Sequence, residues 1–275
     1  KVGDIMKPYL IVIDLDGTLM LDFSHYDQET FDYIKKLSHE GHKIMLATGR
    51  PLRSSYFVYE ALGLDTPLIN YNGARVTNPK DPNYPTTDLR ISRDDLLEII
   101  DFTKDDLINV FCEIIDDIYV QEYNEFIHPF LHINSDFGKL HIGKLRDTLP
   151  DDPNGSLFFL KKGTIDRFVE HINNNYKGRL FPRYWEIDDN YIVEVYNPLV
   201  DKNVGFENAC KYYNIPKVRT IAIGDGHNDI GMLDFAHIKV AMKNANPELF
   251  SHANYIAERF DQQGVLKFLK SFFEE

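Results

Sequence analysis

The 275-residue sequence predicts an α/β fold, a parallel sheet with helices on both faces, interrupted by an inserted α+β unit. Three observations predict it. From Tyr9 to residue 78, short apolar runs alternate with runs of helical period. The rhythm then breaks at "NPKDPNYP", whose prolines, asparagines and aspartates read as a linker. The first rhythm resumes near residue 197. The core is therefore expected to comprise residues 1–78 and 197–275, and the insertion residues 79–196.

The elements follow in order. "YLIVID" is a buried strand, and "QETFDYIKKLSHEG" sets Phe31, Ile34 and Leu37 at helical spacing before stopping at Gly41. "KIMLATGRP" is a second strand that ends in a Thr-Gly-Arg turn. Pro51 suits the first turn of the next helix, "LRSSYFVYEALG", which Gly63 ends, and "PLINYNGA" is a third strand. Such β-α-β-α-β order needs crossovers, hence parallel strands. The insertion offers a helix in "SRDDLLEIIDFTKDD", a hairpin in "NVFCEIIDDIYVQEY" turning at Asp116 and Asp117, a strand "LFFLK", a helix "IDRFVEHINNNY" and a hairpin at Asp188 to Asn190. Helices on one face of a mostly antiparallel sheet account for that order. The core then returns with the helix "NVGFENACKYYN", the strand "TIAIGD", a helix from "DIGMLDFA" and the strands "IKVAM" and "NYIA".

Composition narrows the function. With 30 Lys+Arg against 43 Asp+Glu the net charge is −13, which argues against duplex nucleic acid or an anionic membrane as the main partner. A small phosphorylated metabolite remains open where the site supplies local positive charge. The two cysteines, Cys112 and Cys210, have no metal-ligand or redox spacing, so a reducing cytoplasm is expected. No apolar run approaches the ~20 residues of a membrane helix. The start, "KVGDIMKPYL", lacks a signal-peptide core, and "KVGDI" ahead of Met6 is read as a remnant. Oligomeric state is not fixed by the sequence.

In an open parallel sheet, ligands bind at the carboxyl ends of the strands. Four polar clusters fall there: Asp14 and Asp16, Thr48 to Arg50, Asn70 to Gly73, and "GDGHND" at Gly224 to Asp229. Lys202 starts a helix, where its ammonium and free backbone N–H groups can face an anion. Asp14, Asp16 and Asp225 could share a hard cation such as Mg²⁺, which offsets their repulsion. A carboxylate can attack phosphorus, and a second can protonate the leaving oxygen and then activate water. Thr48 and Lys202 would hold and neutralise the phosphoryl oxygens.

The set "DLDGTL", "LATGRP", "NGA", a Lys after a long insertion and "GDGHNDIGML" resembles the motifs of the haloacid dehalogenase superfamily. The large insertion between the second and third motifs, "VAMKNANPELFSHANYIA" and "QGVLKFL" resemble its Cof-type phosphatases. The resemblance implies a Rossmann-like core with a cap. It also implies Asp14 as nucleophile and Asp16 as general acid/base, with Mg²⁺ held by Asp14, the backbone carbonyl of Asp16 and Asp225, and Asp229 in support. Phosphate contacts are implied for the Leu15 N–H, Thr48, Gly49, Lys202 and Asn228. Many relatives have Lys-Gly where this chain has Lys202-Asn203. A phosphomutase or other phosphotransferase would use the same aspartates, and a binding module without catalysis is a further alternative.

Several residues carry two readings. Thr48 is also a helix-cap candidate. Arg50 can bind substrate or pair with a carboxylate, and Asn72 can bind substrate or merely form a turn. His227 invites a metal-ligand reading, but a solvated loop histidine is expected because Mg²⁺ prefers oxygen. The acidic residues at 104 to 107 and Asp116-Asp117 are expected to be solvated turns. Among the insertion's aromatic and acidic residues, Tyr184, Trp185 or Glu194 could face the substrate.

Overall fold

The apolar run Leu10 to Ile13, closed by Asp14, builds β1 (Leu10–Asp14), whose five residues are all buried. In the computed structural model, which describes residues 7–274, this strand lies inside an eight-stranded sheet. Residues 1–6, "KVGDI" among them, and residue 275 lie outside the described residues. Helix α1 (Gln28–His39) is capped by Asp27, which accepts from the Thr30 N–H at 2.8 Å. There follow β2 (Lys43–Ala47), α2 (Leu52–Ala61), β3 (Leu68–Asn70), β4 (Arg75–Thr77) and β5 (Thr87–Asp88). Pro51 stands immediately before α2 rather than in its first turn.

The insertion contributes α3 (Arg93–Thr103), β6 (Leu107–Ile114), β7 (Asp117–Val120), α4 (His128–Leu131) and β8 (Leu140–Ile142). It continues with α5 (Leu145–Thr148), β9 (Gly155–Leu160), α6 (Ile165–Asn175), β10 (Phe181–Ile187) and β11 (Asn190–Tyr196). The first rhythm returns in α7 (Lys202–Tyr213), β12 (Thr220–Gly224), α8 (Ile230–Phe235), β13 (Ile238–Met242), β14 (Tyr255–Ala257) and α9 (Gly264–Glu274).

Two compact units result. Among the described residues one holds 7–49, 55–87 and 201–274, and the other 50–54 and 88–200. The first is the Rossmann-like core, with strand order β14-β13-β12-β1-β2-β3-β4-β5. Strands β14 to β3 run parallel, and β4 turns back antiparallel on β3. Leu10, Val12, Met45, Ile69 and Ala222 form one face, packed with Phe206, Ala209, Met232 and Leu233 of α7 and α8. Alternation sends Ile11 and Ile13, equally buried, to the other face. The central partners of β1 and β12, Ile11 with Ile221, Val12 with Ala222 and Ile13 with Ile223, are all apolar, and the polar residues Thr220 and Asp14 stand at strand ends.

The second unit is the expected α+β insertion, a six-stranded sheet of order β10-β11-β9-β6-β7-β8. Its pairs are antiparallel except β7 with β8. One face carries Val110, Cys112, Phe158, Leu160 and Val193 against Leu96, Ile99, Phe168 and Ile172 of α3 and α6. Pairing of Trp185 with Ile192 and of Arg183 with Glu194 puts these residues on the opposite face, while Tyr184 shares the helix-covered face with Val193. One expected turn is corrected here. Asp116 is buried, not solvated, because its carboxylate accepts from the Arg53 N–H at 2.9 Å. Both cysteines are buried free thiols, pushed up by burial, Cys210 to about 11.

In the core, His42 is buried and its Nδ1 accepts from the Tyr9 N–H at 3.0 Å, with the Phe273 ring 4.6 Å away. Burial holds its pKa below the ordinary 6.5; Arg219 adds to the effect and Glu40 opposes it. The unfolded chain therefore takes up this proton first as pH falls, so the stability is present above about pH 6.5 and is lost below it. His42→Asn keeps an acceptor and removes the titration. Between about pH 8 and about pH 5 the wild type is expected to lose more melting temperature than this variant. Parallel curves would show that His42 contributes nothing to the pH dependence.

Candidate active site

The end of β1 delivers Asp14, and the chain then turns sharply. The Leu15 carbonyl accepts from the N–H groups of Thr18, Leu19 and Met20 at 3.2, 2.9 and 2.9 Å. Gly17 makes this possible on two counts. Its φ is +78°, and a Cβ there would lie 2.2 Å from Asp225 Oδ2. Asp225 follows β12, the parallel neighbour of β1, and its Oδ1 accepts from Thr18 Oγ1 at 3.3 Å.

Asp201 caps α7 through the Asn203 N–H, which makes Lys202 the first helical residue and turns its side chain into the core. A regular helix thus forms with Asn at position 203. Lys202 is fully buried, and its Nζ donates at 2.6 Å to Asp14 Oδ1 and at 2.6 Å to Asp229 Oδ1. The other oxygen of Asp229 accepts from the N–H groups of Asp225 and Gly226 at 3.0 and 2.9 Å. Among the described residues, Asp14, Asp225 and Asp229 form the group of carboxylates suited to a metal, with donor atoms within 4.8 Å of one another. The side chain of Asp16 lies outside that group and is exposed.

Burial, then the neighbouring Asp229, pushes the Asp14 carboxyl well above its usual range, although Lys202 pulls it down. The same two causes push Asp225 up to about 6. Burial disfavours the Lys202 charge, but Asp14 and Asp229 more than offset it, and its pKa is raised. A cluster with one fixed cation and three crowded carboxylates favours a further positive charge. All three side chains offer hard oxygen, the ligand type of Mg²⁺, so the residues fit that ion.

A second group lies beside the first strand ends. Thr48 is buried and its N–H donates to the Ile69 carbonyl at 2.9 Å, while its carbonyl accepts from the Asn72 N–H at 3.0 Å. Helix α2 starts at Leu52, so Thr48 is not at its cap position. Asn228 Nδ2 donates to Asn72 Oδ1 at 2.9 Å, and Gly49 lies against that Asn72 amide. Tyr71 and Asn72 have φ of 49° and 55°, left-handed values that cost an L-residue about 1–2 kcal/mol each. Arg50 is buried and donates to the Ser54 carbonyl at 3.1 Å. His227 is exposed, with Nδ1 2.9 Å from Glu248 Oε2, which decides for a loop histidine.

Two further residues of the site were not singled out from sequence. Thr18, inside the "DLDGTL" motif itself, reaches Asp225. Asn244 Nδ2 donates to the Gly17 carbonyl at 2.8 Å and so braces the turn after β1 from the other end of the chain.

Residues 11–269 match the family model described as haloacid dehalogenase-like hydrolase. The chain belongs to this family. The haloacid dehalogenase-like assignment extends across both units, in keeping with the Cof-type resemblance. A Bacillus subtilis protein, the 5-amino-6-(5-phospho-D-ribitylamino)uracil phosphatase YitU, is 32% identical over 268 residues, covering 97% of this chain and 98% of its own. A second from that organism, YcsE, bears the same phosphatase name and is 24% identical over 95% of this chain and 94% of its own. Among solved structures, a haloacid dehalogenase-like hydrolase from Bacteroides thetaiotaomicron superposes with a TM-score of 0.81 at 22% identity, covering 97% of this chain and 100% of that one.

Proposed function

We propose that this chain, a phosphoric monoester hydrolase, cleaves small phosphorylated metabolites through a phospho-aspartate at Asp14 with Mg²⁺ as cofactor. The observation that carries the reading is the Lys202 ammonium held 2.6 Å from both Asp14 and Asp229 beside Asp225. In this reading an Asp14 oxygen attacks phosphorus, the bond to the leaving oxygen breaks, and Asp16 gives that oxygen its proton. Asp16 next takes a proton from water, whose oxygen attacks the acyl phosphate, freeing inorganic phosphate and restoring Asp14. Exposure of Asp16 suits a group that exchanges protons with a leaving alcohol and then with water.

Mg²⁺, when bound, supplies the charge that offsets the carboxylates and the phosphoryl oxygens. Asp14, Asp225 and the Asp16 carbonyl would hold it. Both oxygens of Asp229 are already engaged, one by Lys202 and one by two backbone N–H groups, so it braces the site. Thr48, Gly49, Lys202, Asn228 and the Leu15 N–H are assigned to the phosphoryl group, and Arg50 remains a candidate for substrate contact. A cytoplasmic metabolite suits the negative charge and the two free thiols. No helix among the described residues is long and apolar enough to cross a membrane.

Residues 79–196 are proposed as the cap that selects the leaving group. Sugar phosphates lead the candidate substrates, with cofactor phosphates behind. The phosphoribitylaminouracil in the names of two relatives adds a polyol phosphate joined to an aromatic ring. The face of β10 and β11 away from the helices suits such a compound: Trp185 is 43% exposed, and Arg183 donates to Glu194 beside the Tyr196 ring. A panel of sugar, polyol and cofactor phosphates, assayed by phosphate release, tests the reaction. Trp185→Ala and Glu194→Ala are expected to shift kcat/KM ratios between substrates by about 10–200-fold, the range set by one pocket contact. Tyr184→Ala, on the helix-covered face, should leave those ratios within about twofold, as for a substitution outside the binding surface. Equal losses on every substrate from the first two variants would remove the cap from substrate choice. Failure to release phosphate from any compound would remove the phosphatase reading.

A further inference from the structure

We propose that Asn72 is a positioning residue, which sets Asn228 for phosphate capture from a left-handed turn without itself touching the phosphoryl group. The inference rests on the phosphatase reading above. Tyr71, Asn72 and Gly73 have φ of 49°, 55° and 104°, three consecutive left-handed residues where L-residues normally appear singly. Such a run persists only where its surroundings over-determine it.

The surroundings here are three separate segments of the site. The Asn72 N–H donates to the Thr48 carbonyl at 3.0 Å, tying the turn to the segment after β2. Asn72 Oδ1 accepts from Asn228 Nδ2 at 2.9 Å, tying it to the segment after β12. Gly73 backs onto the start of α7: a Cβ there would meet the Asp201 carbonyl oxygen at 2.3 Å and the Lys202 nitrogen at 3.2 Å. The turn therefore touches the segments that carry Thr48, Lys202 and Asn228.

Asparagine meets both demands at position 72. It tolerates the left-handed region better than most L-residues, and its amide oxygen gives Asn228 a fixed acceptor. Glycine would keep the backbone and lose the acceptor. Alanine would lose both. The Asn72 amide also closes over Gly49, where a Cβ would stand 3.2 Å from Asn72 Nδ2 and 3.3 Å from Oδ1. With its oxygen committed to Asn228 and its body against Gly49, Asn72 acts by holding its neighbours.

The test is a double-mutant cycle of Asn72→Gly and Asn228→Ala, with inorganic phosphate binding read by calorimetry in the Mg²⁺-loaded protein. Melting temperature and circular dichroism check each fold; glycine suits the existing backbone, so the turn is retained. Asn72→Gly is expected to weaken phosphate binding and raise KM about tenfold while kcat changes little, a coupling of ordinary size for contacting residues. In the Asn228→Ala background the same substitution should have almost no further effect. Equal weakening in both backgrounds, or a fall in kcat with unchanged phosphate affinity, would overturn the proposal. Phosphate release by the wild type reads the phosphatase reading separately, since the calorimetric cycle needs no turnover.

Discussion

Asp14→Asn is expected to abolish turnover on every phosphomonoester while the protein stays folded. An amide oxygen is a poor nucleophile toward phosphorus, and no acyl phosphate can form and reopen at that position. Loss of the nucleophile in a covalent mechanism costs about 10⁴-fold or more. The fold should tolerate the change because burial already disfavours the Asp14 charge, and Lys202 keeps its second partner, Asp229. The measurement is steady-state phosphate release from freshly purified variant, with reversion by deamidation excluded by mass spectrometry. Near-normal activity would mean that another group attacks phosphorus. A variant that fails to bind inorganic phosphate at all would instead assign Asp14 a part in holding the ligand.

The fate of Asp14 was legible because it depends on local pattern. Four apolar strand residues, Leu10 to Ile13, lead into two carboxylates and a Gly-Thr turn, and the parallel topology then fixes which end of the sheet the acids occupy. Lys202 was legible because it stands at the start of a helical run that follows the long insertion. Several features of three or four residues were not. Strand β4 and the left-handed turn before it are too short to carry a period, and α4, β8 and α5 have only 4, 3 and 4 residues. Asp116 failed for another cause: two adjacent aspartates look like a solvated turn, and the Arg53 N–H that buries one of them lies 63 residues away in sequence. Likewise, the bond from Asn244 to Gly17 spans 227 residues. The sides of β10 could have been separated by alternation alone, because adjacent residues of a strand face opposite ways. Tyr184 and Trp185 cannot then both face the same ligand.

Removing the metal is expected to silence the enzyme, and adding Mg²⁺ to restore it. The physical reason lies in the crowding of Asp14, Asp225 and Asp229, whose donor atoms lie within 4.8 Å of one another. Lys202 engages Asp14 and Asp229 but accepts no hydrogen bond, and it makes no hydrogen bond to Asp225 comparable to those two. Asp225 is instead held by Thr18, with its carboxyl pushed up to about 6 by burial and by Asp229. A divalent cation would relieve the repulsion that Lys202 and Thr18 offset only in part. Asp225→Ala should therefore weaken Mg²⁺ binding by more than the about 10–100-fold that loss of a supporting partner costs. Thermal stability gives a readout free of turnover: at about 100 times its dissociation constant the ion stabilises the native state by about 2.7 kcal/mol. The wild type should show that rise in melting temperature, and Asp225→Ala should lose most of it at the same Mg²⁺ concentration. Hydrolysis at full rate by thoroughly demetallated protein, or an undiminished Mg²⁺ shift in Asp225→Ala, would take the ion out of this cluster.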